Sequence, residues 1–389
     1  TTGSYNTASG YQALEQNTTG ARNIAIGYQA YDDADTEDDN LAIGFAALGG
    51  SIAGGTKNVA IGNYSLDANT SGINNTAIGY NAMTTNIGGD KNTSIGFESL
   101  QANTEGNKNI AVGMYSMYAN TTASDNVAIG YESMKINTTG TRNIAIGSGA
   151  YDNADTEGNN LAIGRDALGG SINGGETNIA IGNYSLDANT SGDRNVALGY
   201  VALTQNSTGT YNVAIGSGAS QLNSSGSSNT SLGNNSMYSN TSANYNTAIG
   251  AEALYDIART SDTDGYNTAL GYNAGNTGTN DITTGNKNTL LGASTAASAA
   301  AGTNQTIIGY GASGLANNSV TIGNSDVTAW YPGADNTADL GSSSVEFKDL
   351  YIDGTANLDA VDIDGGAIDG TAIGASSAST GAFTTITAS

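Results

Sequence analysis

Carboxylates are the most numerous charged side chains in this sequence that could serve as acid, base or hard-metal ligand. There are 35 Asp and Glu against 11 Lys and Arg, with no histidine and no cysteine. A Ser-His-Asp or Cys-His nucleophile, a thiolate and a zinc–cysteine site are therefore all excluded. The acids are densest in Tyr31-Asp-Asp-Ala-Asp-Thr-Glu-Asp-Asp-Asn40, and a second copy, Tyr151 to Asn160, keeps Asp152, Asp155 and Glu157. Hard cations take several carboxylate and carbonyl oxygens, so Asp32, Asp35, Glu37, Asp152, Asp155 and Glu157 are candidate calcium ligands. The other reading is a solvated acidic loop, because the spacing fits neither an EF-hand loop nor the glycine-aspartate nonapeptide of calcium-binding β-rolls. A paired-carboxylate hydrolase site is the remaining alternative. Asp262, Asp264, Asp362 and Asp364 look like pieces of calcium loops but are too short to stand as sites.

The formal charge of −24 opposes binding to nucleic acid or an anionic membrane surface, both of which need clustered cations. No apolar run is long enough for a membrane helix. The sequence opens at Thr1 without an initiator methionine or signal peptide, so a processed product or a fragment is expected.

The elements that must position these residues repeat. Asn23-Ile-Ala-Ile-Gly27 recurs as Asn58-Val-Ala-Ile-Gly62, Asn109-Ile-Ala-Val-Gly113, Asn126-Val-Ala-Ile-Gly130, Asn143-Ile-Ala-Ile-Gly147 and Asn178-Ile-Ala-Ile-Gly182, mostly at intervals of 17 residues. A fixed short period marks a solenoid. Counting from the Asn, positions 2 to 4 read as a short strand, positions 8 and 9 as a second one, and Asn-Thr-Thr-Gly as a turn. Glycine inside every candidate helix argues against a helical repeat. The expected fold is an all-β parallel β-solenoid of about 19 coils over residues 1–323, followed by a short irregular β-rich segment over 324–389.

Asn occupies position 1 in seventeen successive coils from Asn6 to Asn288, among them Asn23, Asn58, Asn75, Asn109, Asn126, Asn143 and Asn178. A residue repeated so often is expected to form an amide ladder rather than a catalytic site. Position 4, with Ile26, Ile61, Ile129, Ile146 and Ile181, is expected to fill the coil interior. The Ala at position 3 then faces the other way, where a second chain could cover it. Tyr28, Tyr80, Tyr131 and Tyr200 follow the coil glycine, and such a tyrosine rim could stack on sugar rings or simply cover the edge of the stack. Residues 142–192 repeat 22–72 at an offset of 120, including an extra residue in a Gly-Gly…Gly-Gly loop, so a block of seven coils is duplicated. Inserts at 255–265 and 276–285 widen two later coils into loops of the kind that carry recognition.

The Asn-x-Ala-Ile-Gly phrase resembles the head repeats of trimeric autotransporter adhesins, although its 17-residue period is longer than the usual adhesin coil. The resemblance implies a left-handed parallel β-roll, assembled as a homotrimer that binds host surfaces. The stretches LGSSSVEFKDLYIDGTA and GASSASTGAFTTITAS resemble segments of tail-fibre and other virion structural proteins of tailed phages. Together they imply a non-enzymatic, extracellular fibre segment of a phage tail. Its partners would be further copies of itself, other virion tail proteins, and a host cell-surface glycan or protein receptor. No cofactor is implied. A bacterial surface adhesin head is the alternative, and a glycan-binding or glycan-degrading β-solenoid is a third reading.

Overall fold

A computed structural model describes residues 2–50, 53–257 and 264–331, with residues 340, 342, 344–345, 347–349 and 351–352 beyond them. The chain divides into two units, Thr1–Thr328 and Ala329–Ser389. In the second unit the described residues include one antiparallel bridge between Ser342 and Val345. The expectations for Pro332, for Asp362 and Asp364, for residues 258–263 of the first insert and for the tail from 353 lie outside the described residues.

The first unit is an all-β parallel solenoid. Among the described residues nineteen strands, from β1 (Thr7–Ser9) to β19 (Ser319–Ile322), join one sheet in which each pairs in parallel with its sequence neighbours. Equivalent positions pair in register, as Ile144, Ala145 and Ile146 of β9 (Ile144–Ile146) do with Leu161, Ala162 and Ile163 of β10 (Leu161–Ile163). At about 4.8 Å per strand, eighteen steps extend about 85 Å.

Each coil has one strand rather than two. Positions 8 and 9, expected to be extended, lie in a run of turns. Position 9 takes positive φ despite a bulky side chain, as at Leu48 (53°), Met83 (53°) and Tyr151 (54°), and position 7 does the same at Tyr64 (58°) and Asn81 (52°). Such a residue costs about 1–3 kcal/mol of backbone strain. Full burial of a Leu or Met returns about 1.5–3 kcal/mol, and the turn backbone still hydrogen-bonds to the next coil, as Leu48 N does to Ser65 O at 2.9 Å. Coil-to-coil bonding by the turns is what lets the fold dispense with the second strand.

The strand faces the opposite way from the sequence expectation. Ala25, Ala60, Ala128, Ala145 and Ala180 at position 3 have no exposed surface, while Ile26 and Ile129 at position 4 are 41% and 39% exposed. Ile61, Ile146 and Ile181 are only partly covered. The reason is width. The interior must hold the position 9 Leu or Met on the far wall, and only a methyl fits opposite it. When position 3 enlarges, position 9 shrinks: Leu290 and Ile307 are buried in coils whose position 9 is Ala296 and Ser313. Where position 3 becomes polar it finds a partner across the interior, Ser94 with Ser99 at 2.5 Å and Ser231 with Ser220 at 2.9 Å. The second pair lies where the apolar core divides, one cluster ending at Ala219 and the next beginning at Met237.

The closing glycine is required by its neighbour. Gly147 has φ of 139°, and a Cβ there would collide with the carbonyl of Gly164 in the next coil.

Candidate functional site

From Asn17 onward the repeated asparagines are buried, and they work as two columns. At position 1, Asn58 donates Nδ2 to Gly72 O (2.9 Å) within its own coil, and its Oδ1 accepts the backbone N–H of Asn75 (2.9 Å) in the next. Asn23, Asn75, Asn109, Asn126, Asn143 and Asn178 bond the same way. The expected side-chain-to-side-chain ladder appears at this position only from Asn195 onwards, as Asn195 Nδ2 to Asn178 Oδ1 at 3.3 Å. A cleaner amide ladder runs through position 12, read from sequence only as turn chemistry. Asn86 donates to Asn69 (2.8 Å), Asn103 to Asn86 (2.7 Å) and Asn120 to Asn103 (2.7 Å). Its recurrence at a fixed position was the available signal.

The acidic loops interrupt this second column. Position 12 becomes Ala34 and Ala154, and the buried Oδ1 atoms of Asn17 and Asn137 in the preceding coils have no hydrogen-bond partner. Position 15, elsewhere usually Gly, becomes Glu37 or Glu157, each about 95% buried. The Glu37 carboxylate accepts the N–H groups of Asp35 (3.2 Å) and Thr36 (3.0 Å), and that of Gly54 (2.9 Å) from the Gly-Gly loop of the next coil. Glu157 repeats this with Asp155, Thr156 and Gly174. The acidic loop and the extra-residue glycine loop, separate in sequence, are thus one device held by a buried carboxylate.

This geometry bears on the calcium reading. Glu37 and Glu157 point their oxygens at N–H donors, and Asp35 and Asp155 accept from Thr18 and Thr138 of the preceding coil. Asp32 instead shares its surroundings with Asp33, Asp67 and Glu15, and Asp152 with Asp166, Glu132 and Asp187. The six acids are therefore split between two environments, and among the described residues no three Asp or Glu converge as a metal site. Burial, then repulsion from Asp166, pushes the Asp152 carboxyl up to about 6. Asp32, Asp67 and Asp187 also shift upward, chiefly through burial.

The tyrosines divide in two. Tyr28 and Tyr80 join an exposed aromatic row that continues from coil to coil, Tyr28 lying nearly parallel to Tyr11 (5.3 Å, 20°) and Phe45 (5.4 Å, 6°), and Tyr80 to Phe97 (5.4 Å, 12°). The rings in these pairs stack on one another, so the faces they share are closed to a sugar ring. Tyr131 lies outside the row beside Glu132, and Tyr200 meets Tyr184 edge-on at 6.2 Å.

The most extensive feature is apolar. From β2 (Ile24–Ile26) to β19, position 4 is Ile, Val or Leu in every strand, and position 2 is Ile, Leu, Val or Thr. Both positions face away from the core, as the exposed Ile24, Ile110, Ile144, Leu198 and Leu232 show. About 85 Å of stacked strands, each about 10 Å long, makes a strip of roughly 800 Å². Monomeric proteins rarely leave more than a few hundred Å² of contiguous apolar surface open.

Fold and surface together define a class, the tandem-repeat parallel β-solenoid with one apolar sheet face turned to solvent. No protein-family model matches the chain, and no curated protein is significantly similar to it. Among the described residues no helix is long and apolar enough to cross a membrane.

Proposed function

We propose that the 1–328 unit is the non-enzymatic shaft of an extracellular attachment fibre, and that copies of this chain lie side by side with their apolar sheet faces together. The observation that carries this reading is the unbroken outward row at position 4. The strip it shares with position 2, roughly 800 Å² over the full strand width, matches the area one partner contributes to a standard stable interface. The same residues repeat at every coil, so a parallel copy meets an identical partner along the whole stack. Three copies are proposed from the likeness of Asn-x-Ala-Ile-Gly to adhesin heads. The phage-tail setting, rather than a bacterial surface, is proposed from the likeness of the stretch after 324 to virion fibre segments. In that setting the partners are tail proteins and a host surface receptor.

The test is to place charge on the strip. Ile26→Lys, Ile129→Lys and Ile181→Lys together should yield single chains that keep the β-rich circular dichroism of the parent. If the triple variant retains the parent's mass in solution, the sheet face is not the contact.

A further inference from the structure

Two of the coils from Asn229 onward are lengthened. The position 1 asparagines Asn229, Asn246, Asn267 and Asn288 are spaced by 17, 21 and 21 residues. Here a depression of about 290 Å³ is bounded by Asn235, Glu252, Tyr255, Asp256, Asn276 and Asp281.

Its origin is traceable coil by coil. Tyr238 and Tyr255 hold position 10 in successive coils and stack at 5.0 Å with 3° between planes, which fixes the Tyr255 ring and covers one of its faces. The next residue in that column is Asn276, so the aromatic stack stops and the shorter side chain leaves room beside Tyr255. The insert that follows is held in place by Asp281, whose Oδ1 accepts the N–H groups of Thr277 (2.5 Å) and Gly278 (2.7 Å). An immobilised aromatic ring therefore borders a space rich in carboxylate and amide groups, with no cation among the described residues that line it.

That combination selects its ligand. Three carboxylates want hydroxyl donors and repel anions, two amides both donate and accept, and the ring wants an apolar C–H face. A divalent cation is disfavoured, because among the described residues no three acids come close enough together to hold one. We propose that this depression binds one uncharged pyranose ring of a glycan, with Tyr255 as its platform and Glu252, Asp256 and Asp281 accepting from its hydroxyls. The proposal rests on the attachment reading and gives it a place on the chain. Burial and the neighbouring Asp281 shift the Asp256 carboxyl upward, in keeping with a partly dry site.

Saturation-transfer NMR on the full chain tests it, with the methyl pyranosides of glucose, galactose and mannose as probes and methyl glucuronide as the anionic control. At least one neutral probe should receive transfer on its ring protons, with the glucuronide about tenfold weaker. Tyr255→Ala and Glu252→Gln should each weaken binding about tenfold. Asn276→Tyr, which extends an existing stack into the depression, should abolish it, and Tyr28→Ser should change nothing. No transfer from any neutral probe, or unchanged transfer in folded Asn276→Tyr, overturns the proposal. Chain mass is read separately: a multimer that takes no sugar defeats this site alone, and a single chain that takes sugar defeats the side-by-side shaft alone.

Discussion

Within a single strand, adjacent residues carry opposite duties, and charge tells them apart. Ala145 sits in a space with no exposed surface, so Ala145→Asp should destabilise the coil by about 3 kcal/mol or more. Ile146 is only partly covered, and the same change there should cost the isolated coil no more than about 1 kcal/mol while weakening association between copies. Denaturant melts on both variants check the pair, and equal losses would contradict the assigned facing. The alternation of Asn-Ile-Ala-Ile-Gly was legible in the sequence, but its direction was not. Hydrophobicity places the isoleucine inside; the width of the coil, set by Leu or Met at position 9, admits only the alanine. Asp152 offers a second test at this scale. Its carboxyl, raised from 3.8 to about 6, binds a proton more tightly when folded, so its contribution to stability is full below pH 3.8 and is lost as pH rises through about 6. The group is partly exposed, so the change is screened to roughly 1 kcal/mol. Melting temperature should fall between pH 4.5 and 7 by more in the parent than in Asp152→Asn; parallel pH profiles would show that Asp152 is not responsible.

A coil is the unit in which compensation occurs. The period, the strand and the turn-forming Asn-Thr-Thr-Gly could be read from spacing alone, because each depends on local backbone preference. What spacing could not show was which departures belong together. Ala34 interrupts the position 12 amide column, Glu37 replaces the usual glycine, and the following coil carries the Gly-Gly loop; all three recur at Ala154, Glu157 and Gly174. Only folding brings the carboxylate to the loop's N–H groups. Glu37→Ala should strand the N–H groups of Asp35, Thr36 and Gly54 and cost about 2–4 kcal/mol, Glu157→Ala a similar amount. Hydrogen exchange should speed up in the two coils concerned and not in distant ones, as expected where each coil contacts only its neighbours. Slow exchange at Gly54 in Glu37→Ala would contradict this role. The duplicated block also supplies an internal control for the aromatic row. Tyr28 and Phe45 correspond to Ser148 and Arg165, yet both blocks build the same strands in the same register. The rings are therefore not needed to form the coil.

Across the whole chain, a stack of similar coils grows by adding units, and its stability grows with them. Its acidic exterior limits indiscriminate association, while the apolar strip remains as a defined place for contact. The account turns on that strip being covered in solution by other copies of the chain. Light scattering on the purified protein measures this directly. The expected molar mass is three times the 38.9 kDa of one chain, unchanged by a chelator because the Glu37 carboxylate already accepts three N–H groups. A stable mass of one chain, with the β-rich structure intact, would contradict it.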